Sequence, residues 1–176
     1  MITFTSKTGK TIMMRPPRLS DVDQLVNYIN CLVDENTMVL IDENQTKKQE
    51  LEYVNKSIYD IAENNLVHLL AFDGDLLIGN SQISRNRWKE RHVGTFGISV
   101  HQKYRGLGIG KILASTVIQQ AKENMALEKI ILEAFLANKP AISLYKRLGF
   151  REYGRLPNGV KQSGEFMDRV FMYLDL

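Results

Sequence analysis

The segment Tyr104-Arg105-Gly106-Leu107-Gly108-Ile109-Gly110-Lys111, which we call the glycine loop, joins a strand-like apolar pattern to an amphipathic helix pattern. Its three glycines stand at alternate positions, which removes the Cβ atoms that keep a ligand away from the backbone and permits positive φ angles. If a helix begins inside the loop, its unpaired N–H groups and its positive dipole end favour a phosphate or diphosphate. Arg105 and Lys111 add positive charge beside these groups. The segment therefore predicts an anion-binding site.

Two common nucleotide-binding motifs do not fit the glycine loop. A Walker A loop requires glycine at the position of Arg105 and serine or threonine at the position of Ile112. A dinucleotide-binding fingerprint that starts at Gly106 requires its third glycine where Lys111 stands, and one that starts at Gly108 also fails. The loop thus argues against a nucleotide triphosphatase and against a Rossmann site.

The glycine loop and a second segment carry a family resemblance. Arg105-x-x-Gly108-x-Gly110 resembles the R/Q-x-x-G-x-G/A signature of the GCN5-related N-acetyltransferase (GNAT) superfamily. Ile98-Ser99-Val100, just before the loop, looks like the coenzyme-binding strand of that family. Asn138 to Phe150 is similar to its second signature, N-x-x-A-x-x-L-Y-x-x-x-G-F. The resemblance covers Ile98 to Phe150, whereas the first half of the chain matches only in the order of its elements.

This resemblance implies an enzyme that transfers an acetyl group from acetyl-CoA to a primary amine by direct attack. The implied acceptor is a small-molecule amine, an amino acid, or the N-terminus or a lysine of a peptide or protein. An inactive module that senses coenzyme A, or acts as a scaffold, is the alternative. The residues that the resemblance assigns to coenzyme binding are Ile98, Ser99, Val100, Arg105, Gly106, Leu107, Gly108, Ile109, Gly110, Lys111, Asn138, Ala141 and Tyr145.

The strand before the glycine loop has one face of small side chains. Thr95, Gly97 and Ser99 alternate with Phe96, Ile98 and Val100, so the two sets lie on opposite faces. In the resembling family, the pantetheine arm of coenzyme A lies beside this strand, and small side chains leave room for it. Close packing of a helix on a glycine-bearing strand is the other interpretation.

Tyr145 is predicted to be the general acid. Ala141, Leu144, Tyr145 and Leu148 recur at helical spacing, so the phenol shares a stripe with apolar residues and points towards the sheet. In isolation, such a tyrosine is more often a core residue. In the family, the tyrosine of this motif protonates the departing thiolate of coenzyme A. Asn138 is expected to cap the same helix and, by resemblance, to hydrogen-bond the pantetheine arm.

The general base is left open between two glutamates. Glu133 lies in a segment that resembles the L-E-V strand of ribosomal-protein N-terminal acetyltransferases, where that glutamate is a proposed base, but it is equally well an exposed strand residue. Glu43 lies in an acidic loop that borders the acceptor site in the family, and the acidic residues around it favour a cationic amine. The strand before the glycine loop carries no carboxylate, so a water relay through backbone carbonyls or His101 is the remaining route.

The hydrophobic patterns predict an α/β fold with a mixed, mostly antiparallel sheet and helices on both faces. Ser20 is expected to cap the first helix, and the second helix is expected to start near Thr46 and to bury Leu51, Val54, Ile58 and Ile61. The predicted elements are an opening hairpin from Ile2 to Arg15, strands Leu66–Phe72, Leu76–Ile83, Arg91–Val100, Lys129–Leu136 and Phe166–Leu174, and later helices Ile109–Met125 and Pro140–Leu148.

Bulk properties favour a single domain spanning residues 1–176. The net charge of +3, from 23 basic and 20 acidic residues, is too small to imply a nucleic-acid partner. Cys31 is the only cysteine and no apolar run reaches membrane-spanning length, so we expect a cytoplasmic location and no membrane partner. His68, His92 and His101 lack metal-ligand spacing, which predicts no metal. Family habit favours a homodimer.

Overall fold

The computed structural model describes residues 1–176, which form eight strands and four α-helices. Each predicted element is found within a few residues of its expected bounds, but the first helix has Asp21 as its N-cap, so the prediction that Ser20 caps it is wrong. The strands are β1 (Ile2–Thr5), β2 (Thr11–Arg15), β3 (Leu66–Asp73), β4 (Leu76–Arg85), β5 (Val93–Val100), β6 (Lys129–Phe135), β7 (Arg151–Gln162) and β8 (Glu165–Asp175). The helices are α1 (Val22–Asp34), α2 (Lys47–Ala62), α3 (Ile109–Asn124) and α4 (Lys139–Arg147).

A single sheet contains all the strands, in the order β1-β2-β3-β4-β5-β6-β8-β7. Neighbouring strands are antiparallel except β5 and β6, which confirms the predicted mixed, mostly antiparallel sheet. The parallel ladder joins only 93–95 of β5 to 129–131 of β6. Beyond it, residues 96–100 and 132–135 run on without pairing to each other. We call the space between these two segments the strand gap.

Helices cover both faces of the sheet, as predicted. On one face, the larger core includes Leu113 and Val117 of α3 together with Tyr145 of α4. On the other face, a smaller core includes Leu25 of α1 and Val54 of α2. We call these the α3 face and the α1 face. None of the helices is both long enough and apolar enough to cross a membrane.

The buried side of α2 differs from the prediction. Leu51 and Ile58 are 42% and 40% exposed, so the expectation that both are buried is wrong. The cause is the polar surface beneath the helix, where Tyr53 of α2 donates a hydrogen bond to Gln82 Oε1 of β4 at 2.8 Å. The buried residues of α2 are Glu50, Val54 and Ser57.

The edge strand β7 was not expected from the sequence. Gly154, Pro157 and Gly159 interrupt it, and such residues occur within sheets mainly on irregular edge strands. Its pairing with β8 changes register in two places, and most of its residues are exposed. Strands β1 and β7 form the two edges of the sheet, and the homodimer stays a prediction.

A buried polar network lies on the α1 face between β3 and α2. His68 is 1% exposed, and its Nε2 lies 2.9 Å from Asn80 Oδ1. The ring of Tyr53 packs edge-on against it, with the ring centroids 5.7 Å apart. Burial lowers the pKa of His68 to about 4, so this imidazole is neutral at physiological pH.

We expect the free energy of unfolding to fall as the pH drops from 6.5 to 4. In this range His68 is protonated in the unfolded chain but stays neutral when it is buried in the folded protein. The lowered pKa means that this contribution is fully present above pH 6.5 and is lost towards pH 4. Its size is up to roughly 3 kcal/mol. Urea unfolding of the parent and of His68→Gln across this range measures it. Equal pH slopes in the two proteins would contradict the assignment.

Candidate active site

The glycine loop folds as predicted, because α3 begins inside it. Gly106 and Gly108 have φ angles of +76° and +87°, a left-handed conformation that residues with side chains rarely adopt. Gly108 is the N-cap of the 16-residue helix α3. The N–H groups of Ile109 and Gly110 therefore have no intrahelical partners and are available to an anion, whereas that of Lys111 donates to the carbonyl oxygen of Gly108.

Open space lies beside both left-handed glycines. A Cβ atom added at Gly106 would meet no atom within 4 Å, and one added at Gly108 would meet only the side chain of Lys7, at 3.6 Å. Gly110 is different, because a Cβ atom there would contact Val100 Cγ2 of β5 at 3.5 Å. Lys7 lies in the turn between β1 and β2 and adds a cation to the loop. No local sequence pattern points to this residue.

The apolar residues of the predicted coenzyme site anchor the loop. Ile109 is 1% exposed, and Ile98 and Leu107 pack against the core of the α3 face. Lys111 is exposed. The loop thus fixes its apolar side chains in the protein while its backbone and a lysine face solvent.

Arg105 has partners that the sequence does not indicate. Its Nη1 and Nη2 donate to the carboxylate of Glu35 at 2.5 and 3.0 Å, and its Nε donates to the carbonyl oxygen of Val100 at 2.9 Å. Nη2 also lies 3.4 Å from Thr37 Oγ1. The guanidinium therefore links the glycine loop to the end of α1 instead of lying free beside it.

Residues 35–37, which we call the bridge, continue this link to the opposite side of the strand gap. Asn36 has a φ angle of +51° and accepts hydrogen bonds from Gln162 Nε2 at its carbonyl oxygen (2.7 Å) and at Oδ1 (2.8 Å). Its Nδ2 donates to Ser163 Oγ at 3.0 Å. The bridge therefore connects the loop that follows β5 with the β7–β8 turn beside β6.

An uncharged polar surface lies on the α1 face next to the gap. The register places Ser99 beside Asn80 and Gly97 beside Gln82. The hydroxyl of Tyr28 lies 3.0 Å from Ser99 Oγ, and burial raises the pKa of Tyr28 well above its usual value. Gly97 is exposed, and a Cβ atom added there would meet nothing within 4 Å. The small-residue face of β5 thus borders open space, as expected for a site that admits a ligand.

Glu133 also lies on the α1 face, at the opposite wall of the gap. Thr95 pairs with Ile131 in the parallel ladder, so alternation places Glu133 on the same face as Gly97. Its side chain is 37% exposed, and Oε2 accepts a hydrogen bond from Arg169 Nη1 at 2.9 Å. Oε1 makes no hydrogen bond within the protein and is open to a ligand.

The other proposed proton acceptors have different surroundings. Glu43 lies in an exposed loop before α2, and its carboxylate makes no hydrogen bond within the chain. His101 follows β5, where its Nδ1 accepts from the backbone N–H of Lys103 at 3.3 Å and its Nε2 lies 3.8 Å from Cys31 Sγ. No group of three or more His, Cys, Asp or Glu residues is arranged to hold a metal ion.

Tyr145 is buried on the α3 face, as its helical stripe predicts. It is 7% exposed and packs edge-on against Phe96 and Phe150, with centroid separations of 6.1 and 6.0 Å. Burial raises the pKa of Tyr145 to about 12. Asn138 Oδ1 accepts from the N–H of Ala141 at 3.2 Å, which confirms the predicted helix cap. A phenol that stays protonated at neutral pH therefore lies on the opposite face of the sheet from Glu133.

Sequence comparison agrees with this geometry. The pattern of the family described as Acetyltransferase (GNAT) family matches residues 32–150. The chain is 30% identical to an N-alpha-acetyltransferase of Sulfurisphaera tokodaii over 147 residues, which cover 84% of each protein. It is also 31% identical over 101 residues to the L-amino acid N-acetyltransferase AaaT of Escherichia coli, covering 57% of this chain and 62% of that protein.

Solved structures share the fold. An acetyltransferase of the GNAT family from Streptococcus pneumoniae superimposes with a TM-score of 0.85 at 25% identity, covering 94% of this chain and 99% of that one. A phosphinothricin acetyltransferase from Sinorhizobium meliloti, solved in complex with AcCoA, gives a TM-score of 0.82 at 21% identity, covering 98% and 89%. The likeness therefore extends over nearly the whole chain.

We expect Gly108→Val to abolish the rise in melting temperature that coenzyme A causes, because the new side chain strains the loop and occupies its open space. Thermal unfolding with and without coenzyme A measures this. Gly164→Val is the matched control, since Gly164 also has a left-handed φ angle, +86°, and a Cβ atom added there would meet nothing within 4 Å, but it lies in the β7–β8 turn. If coenzyme A stabilises Gly108→Val as strongly as the parent, the loop is not the coenzyme site.

Proposed function

Since this chain belongs to the GNAT family of acetyltransferases and is an acetyl-CoA-dependent N-acetyltransferase, we propose how its residues hold and activate the two substrates. One observation carries the proposal. The strand gap has a partly exposed carboxylate, Glu133, on its α1 face and a buried phenol, Tyr145, on its α3 face.

The glycine loop binds the diphosphate of acetyl-CoA. Free N–H groups and the positive dipole end of α3 favour its negative charges, and Lys7, beside Gly108, and Lys111 of the loop add positive charge. Arg105 holds the loop to the bridge and acts on the diphosphate through that position. The pantetheine arm extends into the strand gap and pairs with the backbone from Ile98 to Val100, which has no ladder partner on that side. By the family resemblance, Asn138 and Ala141 form the opposite wall.

The amine acceptor approaches on the α1 face over Gly97, where the surface is open and polar. Glu133 takes the first proton from the acceptor's ammonium group. We favour Glu133 over Glu43 because Glu133 lies on β6 beside the strand gap, on the face where the amine arrives. Its Oε1 is free to accept the proton while Arg169 holds Oε2.

The neutral nitrogen then attacks the thioester carbon, so that a C–N bond forms and the C–S bond breaks. Backbone N–H groups of β5 stabilise the oxyanion. Tyr145 donates its phenolic proton to the departing thiolate from the α3 face and regains a proton from solvent. The attacking nitrogen loses its second proton to solvent, and Glu133 releases the first proton to solvent before the next cycle. The complete reaction converts an ammonium ion and a thioester into an amide, a thiol and one free proton.

We expect Tyr145→Phe to lower kcat by roughly 10²–10⁴-fold, because no other acid lies beside the thiolate on the α3 face. Stabilisation by coenzyme A should remain. Thiol release from acetyl-CoA with a panel of amines and peptides measures the effect, and Tyr59→Phe, on the exposed side of α2, is the control. Tight coenzyme binding without thiol release from any acceptor would instead support the sensor or scaffold alternative.

The pKa of Tyr145, raised to about 12, predicts how kcat depends on pH in alkaline solution. The phenol keeps its proton well above 10.0, its ordinary pKa, while the acceptor amine loses its own proton. We therefore expect kcat of the parent to rise with pH and then stay level up to pH 10. A fall in kcat below that pH, in enzyme that stays folded by circular dichroism, would contradict the assignment of Tyr145 as the acid.

A further inference from the structure

Arg169 of β8 has hydrogen-bonding capacity that the protein does not use. Its Nη1 donates to Glu133 Oε2 at 2.9 Å, but its Nε is buried and has no partner. Only one other buried side-chain polar atom in the protein, Nδ1 of His68, also lacks a hydrogen-bond partner. Its Nη2 also makes no hydrogen bond within the protein, and the side chain is 22% exposed, so a ligand oxygen that accepts from Nη2 gains binding energy.

The sheet register places Arg169 at the active site. Phe135 pairs with Arg169 and Glu133 pairs with Phe171, so Arg169 and Glu133 are diagonal neighbours on the α1 face. Glu133 and Phe135 both lie beyond Ile131, the last residue of β6 that pairs with β5. Arg169 therefore lies on the α1 face of β8, one strand behind the β6 wall of the strand gap, where its side chain reaches Glu133 and is 22% exposed.

The Glu133–Arg169 pair offers two complementary groups side by side. A carboxylate oxygen accepts hydrogen bonds from an ammonium group, and a guanidinium donates to a carbonyl or carboxylate oxygen. An α-amino carbonyl unit has the matching arrangement, because its amine and its carbonyl carbon are attached to the same carbon atom. Polyamines and lysine side chains have no carbonyl at this distance from the reacting amine.

We propose that Arg169 binds the carbonyl or carboxylate oxygen next to the acceptor's amine, so that the enzyme selects α-amino carbonyl compounds. This inference rests on the proposed function. Free amino acids and the N-terminal residues of peptides both carry the unit. The polar surface across the gap agrees with this choice, because Gln82 and Ser99 are partly exposed there and the buried hydroxyl of Tyr28 lies 3.0 Å from Ser99 Oγ.

The test compares acceptors that differ only in the distance between amine and carbonyl. L-alaninamide has both groups on one carbon, whereas β-alaninamide separates them by one more carbon. We measure thiol release from acetyl-CoA and express kcat/KM per concentration of neutral amine, because the two amines differ in pKa. We expect the parent to prefer L-alaninamide by about tenfold or more. L-alanine and an alanyl peptide then distinguish a free amino acid from a peptide N-terminus as the source of the unit.

Arg169→Met should remove this preference. Loss of the contact with Glu133 lowers kcat/KM for both amides, whereas loss of the contact with the carbonyl lowers it only for L-alaninamide, so we expect a further decrease of about tenfold or more for L-alaninamide relative to β-alaninamide. Arg169→Lys should retain part of the preference, since an ammonium group still donates. Arg155→Met is the matched control. Arg155 of β7 pairs with Val170 and therefore lies on the α3 face, away from Glu133, where it binds Glu152.

Two results would overturn the inference while the proposed function stands. One is an equal kcat/KM of the parent enzyme for L-alaninamide and for β-alaninamide or spermidine. This measurement does not depend on the folding of any variant. The other is an Arg169→Met variant, still stabilised by coenzyme A, that loses activity equally with every acceptor, since Arg169 would then only hold Glu133. No thiol release by the parent with any acceptor would overturn the proposed function, and this inference with it.

Discussion

The early end of the ladder between β5 and β6 is the constraint on which the site depends. This ladder joins three residue pairs, whereas the β4–β5 and β6–β8 ladders on either side each join seven. Backbone groups beyond its end need other partners. The glycine loop and α3 follow β5 directly, so the N-terminus of α3 lies near the end of the strand that lines the gap. A single shortened ladder thus produces a cleft inside a continuous sheet.

The parts of the site that lie on one segment of chain were predictable from the sequence. The start of α3 at Gly108, the cap of α4 at Asn138 and the buried position of Tyr145 each depend on residues only a few positions apart. Backbone conformation, capping and helical periodicity act over that range. The order of strands and helices followed for the same reason.

The parts assembled from distant segments were not predictable. Arg105 meets Glu35 seventy residues away, and Arg169 meets Glu133 only through the β6–β8 register. The apolar periodicity of α2 correctly marked Val54 as buried, but it does not show the polarity of the sheet beneath the helix, so Leu51 and Ile58 were wrongly expected to be buried. Strand β7 was missed because its glycines and proline disfavour a strand, and its hydrogen bonds to β8 are not visible in its own sequence.

The bridge at residues 35–37 gives the two parts of the sheet a second connection. Within the sheet, strands β1–β5 and strands β6–β8 meet only at the short parallel ladder. At the other end of the gap, Glu35 and Asn36 fasten them through exposed side chains. Each hydrogen bond of the bridge contributes only about 0.5–1.5 kcal/mol, so the mouth of the gap is held less firmly than its base, where the core of the α3 face packs β5 and β6 together.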